Sequence, residues 1–235
     1  MISESVNIFI RNQPSFYPVI KFDPLKEKLM KINLTASNPD LTTNVIQDTA
    51  LFTAYIESTL KAKRCKWGIG GYNEHRTIYN RSRVFDALHA LDEPRRLHLG
   101  IDIWGPAGTP VFAPLGGMIH SFAFNNNFGD YGATIILLHQ LDGFAFYTLY
   151  GHMSLRDIQQ LNEGGYVIRG QEIGHFGERH ENGQWPPHLH FQVIFDIGMN
   201  EGDYPGVCRY SEREKYLENC PDPDYILQMN RFITS

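Results

Sequence analysis

From Leu97 to Phe195 apolar residues recur in short runs with a period of two, the spacing of half-buried strands. In His188–Phe195, Leu189, Phe191, Val193 and Phe195 share one face, while His188, His190 and Gln192 share the other. In His98–Ile103, Leu99, Ile101 and Ile103 are apolar, and His98, Gly100 and Asp102 lie opposite them. Further strand-like runs are Pro110–Pro114, Gly117–Phe124, Ala133–His139 and Phe144–Tyr150, separated by Gly, Asn and Asp clusters. Asp142-Gly143 between two of these runs predicts a hairpin.

Upstream the periodicity changes. Val45, Leu51, Phe52, Tyr55, Ile56 and Leu60 recur close to three-four spacing, which predicts one amphipathic helix over Thr43–Lys61. Before it, Pro14, Pro18, Pro24 and Pro39 punctuate short segments. Gly68-Ile-Gly-Gly-Tyr72 reads as a Gly-rich turn leading into polar residues as far as Tyr79, and no Lys-Ser/Thr follows to make it a phosphate loop. After Asp196 come Pro, Gly and charges, then a short helical segment near Asp224–Phe232. The expected fold is mainly β, an antiparallel sheet that is folded or barrel-like, with a partly helical extension over 1–90, the β-domain over 91–197 and a tail over 198–235 packed on it.

Composition narrows the function. The 235 residues are 42% hydrophobic and 20% charged, which fits one globular domain with an extension. A net charge of −5 gives no electrostatic footprint for nucleic acid or an anionic membrane. No apolar run approaches the roughly 20 residues needed to cross a bilayer. The first residues lack a basic stretch followed by an apolar one, which points to the cytoplasm. Cys65, Cys208 and Cys220 form no Cys-x-x-Cys pair and are expected as reduced thiols in preference to a Cys208–Cys220 disulfide.

Candidate chemistry gathers on the strand-like runs. His98, Asp102, His152, His188 and His190 together contain three ligands for a divalent metal and leave two imidazoles for proton transfer. One constraint is geometric. Four residues of straight strand span roughly 13 Å, too far for His98 and Asp102 both to reach a metal at about 2 Å. The chain must therefore bend between them, and Gly100 is the residue able to bend. Tyr150 is a candidate oxyanion donor, with a packed aromatic as the competing reading, and Gln192 is a candidate partner of the ligands. His180, in a Gly-rich polar stretch, is a candidate for the site's rim; His75, His89, His120, His139 and His175 are expected on the surface or as satisfied core residues.

These residues fall in motifs. His98-Leu-Gly-Ile-Asp102, Gly108-Thr-Pro-Val-Phe-Ala-Pro114, Tyr150-Gly-His152, Gly170-Gln-Glu-Ile-Gly174 and Pro187-His-Leu-His-Phe191 occur in the order that resembles the lysostaphin/LytM-type zinc metallopeptidases, a duplicated-hybrid-motif family. The resemblance spans Leu97 to Asp196. It implies a barrel-sandwich hybrid core, one zinc held by His98, Asp102 and His190, catalysis by His152 and His188, and hydrolysis of bacterial cell-wall peptides with Gly or D-Ala near the cleavage site. It also implies a periplasmic or extracellular setting, in conflict with the N-terminal residues. Tyr72–His152 is similar, too, to peptidase-like domains fused inside larger intracellular proteins. In some family members an upstream residue, often Asn, occupies the open zinc position, which makes Asn73 and His75 candidates for occlusion. Two other classes compete: a phosphoryl carrier of related fold with a His-Phe-Gly-Ile-Asp string, and a binding module that does not cleave.

Overall fold

The computed structural model describes residues 4–86 and 92–234; His89 lies outside them. In chain order the elements are α1 (Glu4–Asn12), β1 (Leu29–Lys31), α2 (Thr43–Gln47), α3 (Thr49–Ala62), β2 (Trp67–Gly70) and β3 (Glu74–His75). Then follow β4 (Leu97–His98), β5 (Ile101–Trp104), β6 (Pro110–Phe112), β7 (Gly117–Asn125), β8 (Gly132–Leu141) and β9 (Phe144–Met153). The chain ends with α4 (Leu155–Ile158), β10 (Tyr166–Val167), β11 (Glu172–His175), β12 (His188–Ile194), β13 (Val207–Cys208), α5 (Arg213–Asn219) and α6 (Asp224–Leu227).

Eight strands form one sheet in the order β1-β2-β5-β12-β9-β8-β7-β10, antiparallel except for the β1–β2 pair. Two small sheets accompany it, β6 with β11 and β13-β4-β3. The dominant antiparallel sheet and the helical N-terminal region agree with the sequence expectation. So does the hairpin: Leu141 pairs with Phe144 across Asp142-Gly143, both at positive φ (51° and 80°) as a tight mirror-image turn requires.

Two upstream expectations need correction. The single helix over Thr43–Lys61 breaks at Asp48, whose carboxylate accepts from the amides of Ala50 (2.7 Å) and Leu51 (2.9 Å) and so starts α3 anew. Leu51 then faces solvent, while Ile46, Phe52 and Ile56 are buried. The Gly-rich stretch is no turn either: Trp67–Gly70 is a buried strand of the main sheet. Its glycines serve close packing. A Cβ on Gly68 would come 2.7 Å from Ile32, and one on Gly70 would come 2.5 Å from the Trp104 ring.

The two faces of the sheet have different partners. Ile101, Ile103, Leu189, Phe191 and Val193 point into the main core, to which α1 adds Phe9. On the other side a second cluster joins Phe52 and Ile56 of α3 to Ile78, Tyr79, Phe85, Trp104 and Trp185, so the upstream chain walls the polar face of the central strands. Among the described residues no helix is long and apolar enough to cross a membrane.

Candidate metal centre

Strand register assembles the site. Gly70, Asp102, His190 and Gly151 sit opposite one another across β2, β5, β12 and β9; Gly68, Trp104 and His188 form the next row. His98 arrives from β4, a strand of the β13-β4-β3 sheet, so the chain does bend between His98 and Asp102. The reason for glycine at 100 is space: a Cβ there would lie 2.6 Å from the His190 ring.

The result is three donor atoms at close range. His98 Nε2 lies 2.9 Å from His190 Nδ1 and 3.2 Å from Asp102 Oδ1, and His190 Nδ1 lies 3.0 Å from that same oxygen. All three residues are buried, and among the described residues they form the one group of three able to hold a metal ion. Their tautomers follow from the outer contacts. His98 Nδ1–H donates to the Gly71 carbonyl (3.0 Å). His190 Nε2–H donates to Gln192 Oε1 (2.9 Å), an amide oriented by its own donation to the Pro205 carbonyl (3.2 Å). Each ring therefore turns a lone pair inward, where a carboxylate oxygen also points. Three acceptors with no proton between them repel unless a cation sits among them. The edge of a tetrahedron with bonds of 2.0–2.1 Å is roughly 3.3 Å, close to the observed separations.

Charge agrees with this picture. Burial and the neighbouring Arg76 lower His98 to about 4, so the ring is neutral. Burial alone would raise Asp102, but the Arg76 guanidinium on Oδ2 holds it well below the usual carboxylate value. Oδ2 of Asp102 is taken by the buried guanidinium of Arg76, whose Nε donates to Glu74 (2.8 Å).

His152 and His188 stand beside the triad, their rings stacked with centroids 4.0 Å apart. His188 Nδ1 donates to the Pro186 carbonyl (2.7 Å) and His152 Nδ1 to that of Asn182 (2.9 Å), leaving Nε2 of each as the basic nitrogen. Burial lowers both, His188 to about 4 and His152, with His188 adding to the effect, well below the usual imidazole value. His152 has φ 64°, in the left-handed region. It sits in a β-bulge, Gly151 and His152 together opposing Thr134 of β8.

The cavity above these groups is lined by Asp102, His152, His188 and His190, by Trp104, Tyr131 and Trp185, and by Arg76, Tyr79 and Phe85 from upstream. Gln192, a candidate partner of the ligands in the sequence, bonds His190. Tyr150 is not in the site: its hydroxyl accepts from Thr148 (2.9 Å) and its ring packs on Phe191 in the core. The tyrosine that is there, Tyr131, comes from the turn before β8, with its hydroxyl 3.4 Å from His190 Nε2 and its ring over Gly151, where a Cβ would be 2.4 Å away. No periodicity marks it. His180 is exposed and lies outside that lining. The Asn73 amide donates to the His98 carbonyl (2.9 Å), but the side chains of Asn73 and His75 are engaged elsewhere. Asn73 Oδ1 accepts from Arg213 (2.9 Å), and the exposed His75 packs on Tyr210 (6.3 Å between ring centroids). Cys65, Cys208 and Cys220 are free and buried. His98 is buried, with Nδ1 bonded to the Gly71 carbonyl and Nε2 turned into the triad, so neither nitrogen is accessible to a phosphoryl group.

The family model of peptidase family M23 matches residues 96–201, and all five residues lie inside the match. Residues 96–201 belong to that family. The chain is 35% identical over 126 residues to the DD-carboxypeptidase/endopeptidase Mpg of Neisseria meningitidis serogroup B, covering 53% of this chain and 26% of that one. It is 28% identical over 128 residues to the L-Ala--D-Glu endopeptidase of Bacillus subtilis, covering 52% and 37%. The chain thus spans about a quarter to a third of these relatives' lengths. Among solved structures, the catalytic domain of the antimicrobial peptidase lysostaphin from Staphylococcus simulans matches with 28% identity over 57% of this chain and 80% of that one, at a TM-score of 0.38.

Proposed function

We propose that the chain is a zinc-dependent endopeptidase that hydrolyses a peptide bond in bacterial cell-wall peptides, with one zinc held by His98, Asp102 and His190. The observation that carries this reading is the meeting of three inward lone pairs within 3.2 Å, each ligand ring fixed from outside by a carbonyl. Two imidazoles and one carboxylate suit zinc and leave a position open. Zinc held there would supply a Lewis acid to polarise a peptide carbonyl and ready water for attack.

The chain's own groups supply the proton chemistry. His152 and His188, both neutral, offer Nε2 to take the proton of the attacking water and return it to the leaving amine. Burial keeps Tyr131 protonated, and its hydroxyl stands beside the outer nitrogen of His190 (3.4 Å), where it backs that ring. The cell-wall substrate is supported by the named activities of the Neisseria and Bacillus relatives. Metal analysis of the purified chain, with cleavage assays on muropeptides and Gly-rich peptides, tests the reading. One zinc per chain and muropeptide cleavage abolished by a chelator are expected; stoichiometric zinc without cleavage of either class would leave a metal-binding module.

A further inference from the structure

Arg76 lies outside the M23 match and in no motif read from the sequence, yet its side chain is only 1% exposed. Three features make its slot. The β3–β4 pairing continues through the Arg76 amide to the Arg96 carbonyl (2.9 Å). Gly70 leaves open a space in which a Cβ would lie 2.7 Å from the guanidinium Nη2. Trp104 flanks the fork, the guanidinium carbon 6.0 Å from the ring centre. Within the slot Nε donates to Glu74, Nη1 to the Tyr79 hydroxyl (3.3 Å) and to Asp102 Oδ2, and Nη2 to the Gly71 carbonyl (3.5 Å). That carbonyl also accepts from His98.

We propose that Arg76 is a positioning residue of the metal centre: by occupying Oδ2 it restricts Asp102 to one-oxygen coordination through Oδ1. A free carboxylate can turn and chelate with both oxygens; a charge-assisted bond from a rigid guanidinium fixes its plane. Glu74 balances the charge, so the triad does not face an uncompensated buried cation. The upstream chain thereby supplies part of the centre's geometry.

This inference rests on the assignment of His98, Asp102 and His190 as ligands. It is tested on the full chain loaded with cobalt(II), whose visible d–d bands are intense in four-coordinate sites and weaken as coordination expands. Arg76→Met is expected to weaken the bands and to loosen zinc about 10–100-fold in competition with a chromophoric chelator. Arg76→Lys, still able to donate to Oδ2, is expected to restore most of the spectrum. Wild-type bands and zinc affinity in folded Arg76→Met would overturn the proposal. Should that variant not fold, Arg76→Leu, likewise unable to donate to Oδ2, carries the same test with the same overturning result. Failure of the wild-type chain to bind either metal would refute the ligand assignment itself.

Discussion

The M23 segment and the chain upstream of it contribute to one cavity in different ways. Residues 96–201 hold all five groups of the proposed chemistry, set by strand register and one bulge. The upstream chain adds a wall, Tyr79 and Phe85 clustered with Phe52 and Ile56 of α3, and Arg76 on the far oxygen of Asp102. The first region decides which bonds can be made, and the second fixes how precisely the groups making them are held. Loss of a group and loss of support should therefore produce different phenotypes.

The largest effect is expected from Asp102→Ala, which removes a donor and leaves Arg76 buried without its main partner; metal content by mass spectrometry and peptide cleavage should both fall to background. Stoichiometric zinc in this variant would contradict the ligand set. Next come His152→Ala and His188→Ala. These should keep the metal while turnover drops by about 10²–10⁴-fold, the usual contribution of a general acid or base; wild-type rates would exclude the stacked pair.

Acid separates the regions again, because among the described residues the buried histidines all lie in the M23 segment. His139 of β8, held at about 4 by burial against an ordinary 6.5, is away from the metal centre. Its neutral form is favoured by folding, so the associated stability is complete above pH 6.5 and declines as pH falls from 6.5 toward 4. The loss should be on the order of 3 kcal/mol, and denaturant curves for His139→Gln should show a shallower decline over that interval. The smallest effect belongs to the support side. Gly70→Ala would crowd Trp104 and the Arg76 fork, and overpacking of this kind costs about 1–3 kcal/mol. Equilibrium unfolding should detect it, with zinc still bound; unchanged stability would mean the wall is looser than its contacts indicate.

Much of the β-domain was legible because alternation is a local property. The faces of β5 and β12, the Asp142-Gly143 hairpin and the need for a bend at Gly100 all follow from neighbours in sequence. The bend is local, but the demand for glycine at position 100 is not, since the His190 ring that excludes a side chain there comes from 90 residues away. Glycines 68 and 70 misled for the same reason. A strand made of glycine looks like a turn until the residues filling the vacant space, Ile32, Trp104 and Arg76, are known. Tyr131 and Tyr150 were likewise inseparable by pattern: Tyr150 lies on a strand and Tyr131 in a turn, and the bulge at Gly151 decides which reaches the cavity.

That bulge also limits how the site could be transplanted. A designer grafting the five side chains onto a regular hairpin would reproduce every rotamer and still misdirect His152, since its direction comes from a left-handed backbone and an extra residue in β9. The portable unit is the main-chain irregularity together with the turn that covers it: the His152 amide donates to the Tyr131 carbonyl and its carbonyl accepts from Gly177, 2.8 Å each. A scaffold lacking those two anchors would let the strand relax to a flat pairing and turn the ring away from the cavity.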